Sequence, residues 1–431
     1  MAVGRGSFSS RFAAIMALAG SAIGLGNIWR FPYMVGQHGG AAFILLYVFF
    51  CVFLSLPVFF AEGILGKTSR LNPLGALRSK APKWSWAGYM GILAAFVITS
   101  YYSVVGGWSL DYFIRSIARG FHGMTMEESA AVFHSITATS WEVLAVFVGF
   151  LGLTALIVLA GVEKGIGGFS KVMMPLLFVM MLLIVVRSLS LPGAGEGLNY
   201  LLKPDFSKID GPAIAAALGQ SFFSLSLGVG CVLTYCSYMP EDENLFATGM
   251  WTALFDTVFA LLAGFAVMPA VFSVSGLEPG AGPSLVFETL PVVFTKMGGI
   301  VPVVFFLAVL VAALTSSISM FEVVVAWLID EKGMRRGRAV LLVFLAALAL
   351  GAVCALAPKV FSACDFATSN IFMTLGALVF VLVVGWVVPK SEPFKEFSSS
   401  RAGARLFPVF WFLLKWICPI AIAAIAVTNL L

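Results

Sequence analysis

The sequence predicts an all-α integral membrane protein built from two inverted five-helix repeats, spans 1–5 and 6–10, followed by one additional helix. Three observations carry this. The 431 residues are 60% hydrophobic and 11% charged, against roughly 25% charged in a soluble domain. Apolar runs of crossing length, about 20 residues each, recur along the whole chain. Two of these runs, five crossings apart, are interrupted by glycines and hydroxyls. An odd offset turns the second copy over. The short alternating segments of a β-barrel are absent.

Taken in order, the runs fall near 12–36, 40–66, 86–118, 141–160, 166–188, 211–238, 246–275, 300–330, 337–357, 365–389 and 407–430. One transmembrane domain over 1–431 follows, with a first repeat at 12–188, a second at 211–389 and an eleventh helix at 407–430. Lys and Arg gather at Arg5 and Arg11, at Lys67–Lys83, at 332–338 and at 390–405, which places the N-terminus in the cytoplasm. The first run lacks a small-residue cleavage site, so the N-terminus is expected to be retained. The net charge of +5 is a topology signal spread over short loops, and no nucleic-acid partner is expected. Six cysteines lack metal or disulfide spacing and read as small buried hydrophobes. The segment 276–299 is too broken by Gly and Pro to span and too apolar at 285–290 for a solvated loop. It reads either as a hairpin dipping into an outer vestibule or as an ordinary loop.

The stretch 20–32 holds Gly20, Gly24 and Gly26, then Asn27, Arg30 and Pro32. Gly and Pro weaken the helical hydrogen-bond ladder, and backbone freed at membrane depth must face protein, water or a ligand. The stretch 220–230, with Gln220, Ser221, Ser224, Ser226, Gly228 and Gly230, repeats the pattern. Paired broken helices in inverted repeats point to a solute and ion site at the membrane midplane.

With those two stretches and Leu314, Thr315, Ser316 and Ser317, the chain resembles a neurotransmitter:sodium symporter, specifically a prokaryotic eleven-helix member with the LeuT fold, in which spans 1 and 6 unwind at mid-membrane. It departs from the twelve-helix pattern by ending after span 11. The resemblance implies a sodium-coupled amino acid symporter in the bacterial inner membrane, working by alternating access. It implies no covalent catalysis and no particular oligomeric state. The alternative on the same fold is a sodium-dependent sensor that binds an amino acid without transporting it.

Two sodium ions are implied. One would lie among Ala22, Asn27, Ser224 and Asp256 with the substrate carboxylate, the other among the carbonyls of Gly20, Ile23 and Ala312 and the hydroxyls of Thr315 and Ser316. Hydroxyls in membrane helices otherwise cap a carbonyl one turn back. Many relatives place Asn at position 256 and use a chloride. A fixed carboxylate can replace a mobile anion, so chloride is not expected, and Ala260 departs from the chloride pattern that Tyr47, Gln220 and Ser224 otherwise resemble. Asp256 could also carry a proton on the return step. Alternatively it is a protonated or paired structural residue.

The substrate carboxylate would meet the amides of Leu25 and Gly26 at a half-helix start and the Tyr102 hydroxyl, with Gly24 leaving room for it. Carbonyls of Ala22, Phe223 and Ser224 would take the amine. The side-chain pocket is expected from Ile98, Phe222, Phe223, Ser226, Val229, Ser316 and Met320, which suits a neutral branched aliphatic or aromatic amino acid. Arg30 and Asp365 match an outer gate pair, Arg5 and Asp330 an inner one. Phe8 stands where the family has Trp. Glu62 resembles an acceptor for amides of the broken helices, Glu322 has no assigned role, and Gly165 with Pro175 resembles an unwinding pair in span 5.

Overall fold

The computed structural model describes residues 6–118, 120, 121, 123–138, 140–274 and 283–430. Among them nine helices are long and apolar enough to cross a membrane, and Arg11–Ala22 with Gly26–Gln37 form a further span bent by 56°. Span 6 is interrupted, with helices Gly211–Ser224 and Cys231–Cys236 on either side of a turn. Together these make the expected eleven crossings. The others are Ala41–Ser69, Pro82–Ala118, Trp141–Leu159, Val162–Leu189, Leu245–Phe272, Ile300–Lys332, Arg336–Leu356, Pro358–Val387 and Arg401–Val427.

The breaks have steric causes. A side chain at position 24 would sit 2.6 Å from Ser316 Oγ, so only glycine lets span 1 approach span 8 this closely. In span 6, Gly228 has φ +82° and a Cβ there would lie 1.9 Å from the Met373 carbonyl. A left-handed backbone pressed against span 10 admits no other residue. Long spans 3 and 8 pack along each other, and the inner half of span 1 lies against spans 5, 7 and 8. The two broken helices therefore sit inside the bundle.

Some features depart from the expectations. Span 10 begins at Pro358, not at 365, because proline preorganises a first helical turn that is polar enough at Lys359 to escape a hydropathy reading. Span 5 starts as a π-helical turn, Val162–Gly167, and is wound there. Helices Pro73–Lys80, Met126–Ala138, Ala194–Leu202 and Ser391–Ser398 lie in the connections. The first of these is capped by Asn72, whose side chain accepts from the amides of Leu74 at 3.0 Å and Gly75 at 3.2 Å. In the 276–299 segment, residues through 282 lie outside the described set. From 283 onward the chain does dip inward, through Leu285–Thr289 and Leu290–Met297. Phe287 is fully buried against Trp29, Trp108, Tyr112 and Phe133, and its carbonyl accepts from Tyr112 Oη at 2.7 Å.

The face expected to be cytoplasmic is closed. Phe8 is buried, edge-on to Tyr235 and Tyr238, and its amide donates to the Tyr238 carbonyl at 3.0 Å. Phenylalanine thus fills the plug position. Glu322 gains a role: it accepts from Tyr238 Oη at 2.7 Å and pairs with Arg336 at 2.5 Å, which holds span 8 to span 9 and to the end of span 6. Asp330 accepts from the amide and side-chain nitrogen of Asn72, each at 3.0 Å, while its expected partner Arg5 lies outside the described residues. Lys67–Glu396 at 2.7 Å, Lys80–Glu392 at 2.5 Å and Arg78–Glu331 at 2.7 Å tie the loop helices across this face.

Candidate functional site

The unwound segments of spans 1 and 6 border a cavity of 420 Å³ that also reaches spans 3, 8 and 10. Of the expected residues, Ala22, Gly24, Leu25, Gly26, Asn27, Arg30, Ile98, Tyr102, Phe223, Ser226, Val229, Ser316, Met320 and Asp365 line it. Phe222 does not. It lines a neighbouring 210 Å³ cleft toward spans 10 and 11, because consecutive residues on a helix point about 100° apart and Phe223 takes the inward direction. The reading missed Val105, Phe361, Asn370 and Met373, which also face the cavity. The last two flank the end of a π-helical turn, Ala367–Phe372, whose altered register a 3.6-residue period does not anticipate.

Polar groups of the cavity wall include backbone groups at the helix breaks. The Leu25 amide donates to Tyr102 Oη at 3.5 Å, and Gly26 packs so closely on Phe223 that a Cβ would lie 2.6 Å from the ring. Ser226, non-glycine yet at φ +52°, turns its hydroxyl to the Ser21 carbonyl at 2.9 Å and so joins the two broken helices. Glu62 supports the turn from beneath, accepting from the Gly228 amide at 2.6 Å. Ile98, Val229 and Met320 add apolar surface to the same wall.

Beside the cavity lies a buried oxygen cluster. The Asp256 carboxylate accepts from Asn27 Nδ2 at 2.7 Å, from Ser224 Oγ at 2.7 Å and from Tyr47 Oη at 3.4 Å. Asn27 Oδ1 meanwhile accepts from the Gly24 amide at 3.2 Å. A carboxylate draws donors, so the amide presents nitrogen rather than the expected oxygen, and a cation would take that oxygen only after the amide turns over. Carboxylate, amide, hydroxyl and carbonyl oxygens in one buried place are the hard donors that an alkali cation needs. Gln220 Nε2 reaches the Gly26 carbonyl at 3.4 Å.

A second oxygen group joins spans 1 and 8. Ser316 Oγ donates to the Ile23 carbonyl at 3.3 Å, Thr315 Oγ1 to the Ala312 carbonyl at 3.0 Å and the Val311 carbonyl at 3.1 Å, and Gly20 packs on the Thr315 side chain. These neutral oxygens also fit a monovalent cation. Thr315 makes the cap one turn back that the alternative reading allowed.

The outer pair differs from expectation. No ion pair joins Arg30 and Asp365 among the described residues. The Arg30 guanidinium lies over the Phe223 ring, 4.9 Å from its centroid, and Asp365 accepts from Tyr101 Oη at 3.0 Å and Ser369 Oγ at 3.3 Å. Each charge has a local partner because span 10 stands across the cavity from span 1.

Comparison with known proteins agrees with this geometry. The model of the sodium:neurotransmitter symporter family matches residues 5–129 and 118–431. An uncharacterized sodium-dependent transporter of Bacillus subtilis is 40% identical over 96% of this chain and 95% of its own. One from Haemophilus influenzae is 36% identical over 99% of this chain and 98% of its own. The crystal structure of MhsT in complex with L-phenylalanine superposes with a TM-score of 0.90 at 36% identity, covering 99% of this chain and 100% of that one.

Proposed function

Because the chain belongs to the sodium:neurotransmitter symporter family, a family of multi-pass sodium-coupled transporters and not of enzymes, we propose that it carries a neutral hydrophobic L-amino acid, branched aliphatic or aromatic, together with sodium and without chloride. The observation that carries the substrate class is the mixed lining of the cavity. The breaks of spans 1 and 6 and Tyr102 give it a polar surface, and Ile98, Val229 and Met320 an apolar one. An amino acid's carboxylate and amine suit the first surface and an uncharged side chain the second. The L-phenylalanine bound to MhsT in the related structure supports this reading.

In this mechanism the carboxylate sits against the Leu25 and Gly26 amides, where the half-helix end is positive, and Gly24 keeps the space clear. One sodium is held by Ala22, Asn27, Ser224, Asp256 and that carboxylate. The second is held by Gly20, Ile23, Ala312, Thr315 and Ser316, and so ties span 1 to span 8. Asp256 supplies the negative charge that a chloride would otherwise bring. Closure then draws Asp365 toward Arg30 above Phe223. The Phe8 plug opens, with Arg5 and Asp330 as the inner pair, and the second sodium leaves inward. The repeats 12–188 and 211–389 rock around the site, with the N-terminus cytoplasmic in a bacterial inner membrane. Competition by twenty unlabelled amino acids against sodium-dependent binding of labelled L-phenylalanine tests the substrate class. Displacement by leucine, isoleucine and tryptophan is expected, and displacement only by charged or small polar amino acids would contradict it.

A further inference from the structure

Two of the six cysteines face each other at the outer end of the bundle. Cys354 lies in the last turn of span 9, at the end away from the basic turn 335–338, and Cys364 in the first turns of span 10. Their sulfurs are 3.9 Å apart. Both cysteines are free, Cys354 buried and Cys364 partly exposed. The nine residues between them include the break at Ala357 and Pro358 and Phe361, which lines the cavity. Cys364 precedes Asp365, and its carbonyl accepts from Thr368 Oγ1 at 2.8 Å.

We propose that Cys354 and Cys364 form an oxidisable dithiol on the outer side of the protein, closing to a disulfide that restrains the outer turn of span 10. The sulfurs must approach from 3.9 Å to about 2 Å, which side-chain rotation with a small shift of the short connecting turn supplies. The outer compartment is the one in which disulfides form and persist. The partly exposed Cys364, as thiolate, attacks an external disulfide, forms a mixed disulfide and releases one thiolate. Cys354, losing its proton, then attacks the Cys364 sulfur and releases the second. The two cysteines lose two electrons and two protons, and the external disulfide becomes two thiols. The ring so closed fixes the top of span 10 to span 9. Asp365 must travel toward Arg30 when the outer gate shuts, so the bridged protein binds substrate from outside and closes slowly.

The gating consequence rests on the transport reading; the disulfide does not. Reconstituted full-length protein is incubated with oxidised glutathione, alkylated, digested and read by mass spectrometry, with uptake measured on the same vesicles. The expected result is a linked Cys354–Cys364 peptide two hydrogens lighter than the reduced pair, and loss of most of the initial uptake rate. Dithiothreitol restores that rate, and the Cys354→Ser and Cys364→Ser variants keep it throughout. Alkylation of both thiols after oxidation, or a glutathione adduct that stays on Cys364, overturns the dithiol. A complete bridge with unchanged uptake overturns the restraint. Absence of uptake in the reduced protein, with the bridge formed, counts against the transport reading alone.

Discussion

The Ser226 hydroxyl donates to the Ser21 carbonyl across 2.9 Å, linking the unwound part of one repeat to the unwound part of the other. Ser226 holds a positive φ to do so, a conformation costly for a residue with a side chain. Ser21 in turn donates its hydroxyl to Ser319 at 2.8 Å, so spans 1, 6 and 8 meet at Ser21 beside the cavity. The bonds are short, polar and local, as a site that must keep its shape through large helix movements requires.

Replacement of Ser226 by Ala removes this link while leaving the cavity lining apolar. A hydroxyl bond between membrane helices is worth about 0.6 kcal/mol, so sodium-dependent substrate affinity should fall about threefold, read by equilibrium binding. Unchanged affinity would mean that the two segments are held by packing alone.

Gly24→Ala should be far more severe. Its methyl would stand 2.6 Å from Ser316 Oγ and 3.4 Å from Tyr102 Oη, where the proposed carboxylate position meets the second oxygen group. Binding measured by scintillation proximity should be lost while the folded protein remains monodisperse.

Asp256→Asn removes the buried carboxylate that collects Asn27, Ser224 and Tyr47. Uptake should become dependent on chloride or disappear. Full uptake by the variant in chloride-free gluconate medium would remove Asp256 from the anion role.

Glu62→Ala leaves the Gly228 amide without its acceptor at the base of the span 6 turn. An unsatisfied buried donor costs about 1–3 kcal/mol, so the apparent Tm should drop, and Glu62→Gln, which keeps an acceptor oxygen, should drop less. Equal loss in both variants would show that charge and not the hydrogen bond matters there.

The parts of this molecule that were legible in the sequence are those where a rule is broken. Glycines at 20, 24 and 26 and hydroxyls at 221, 224 and 226 sit in runs that otherwise have lipid-facing composition, and both interruptions are real. Segments whose deviation is geometric were not legible. The π-helical register of span 10 brings Asn370 and Met373 to the cavity without any unusual residue type. Phe222 and Phe223 differ only in direction, and the chain does not mark which aromatic turns inward. The Arg30–Asp365 relation depends on how far apart spans 1 and 10 stand, which is a property of conformation and not of composition.

The central claim is that sodium binding in these oxygen groups drives a hydrophobic amino acid across the membrane. Its most direct test is uptake of labelled L-leucine and L-phenylalanine into proteoliposomes under an inward sodium gradient, with gluconate as the sole anion. Accumulation above the outside concentration, collapsing when sodium is equal on both sides, is the expected result. Sodium-dependent binding with no accumulation of any neutral amino acid would contradict it and leave a sensor on the same fold.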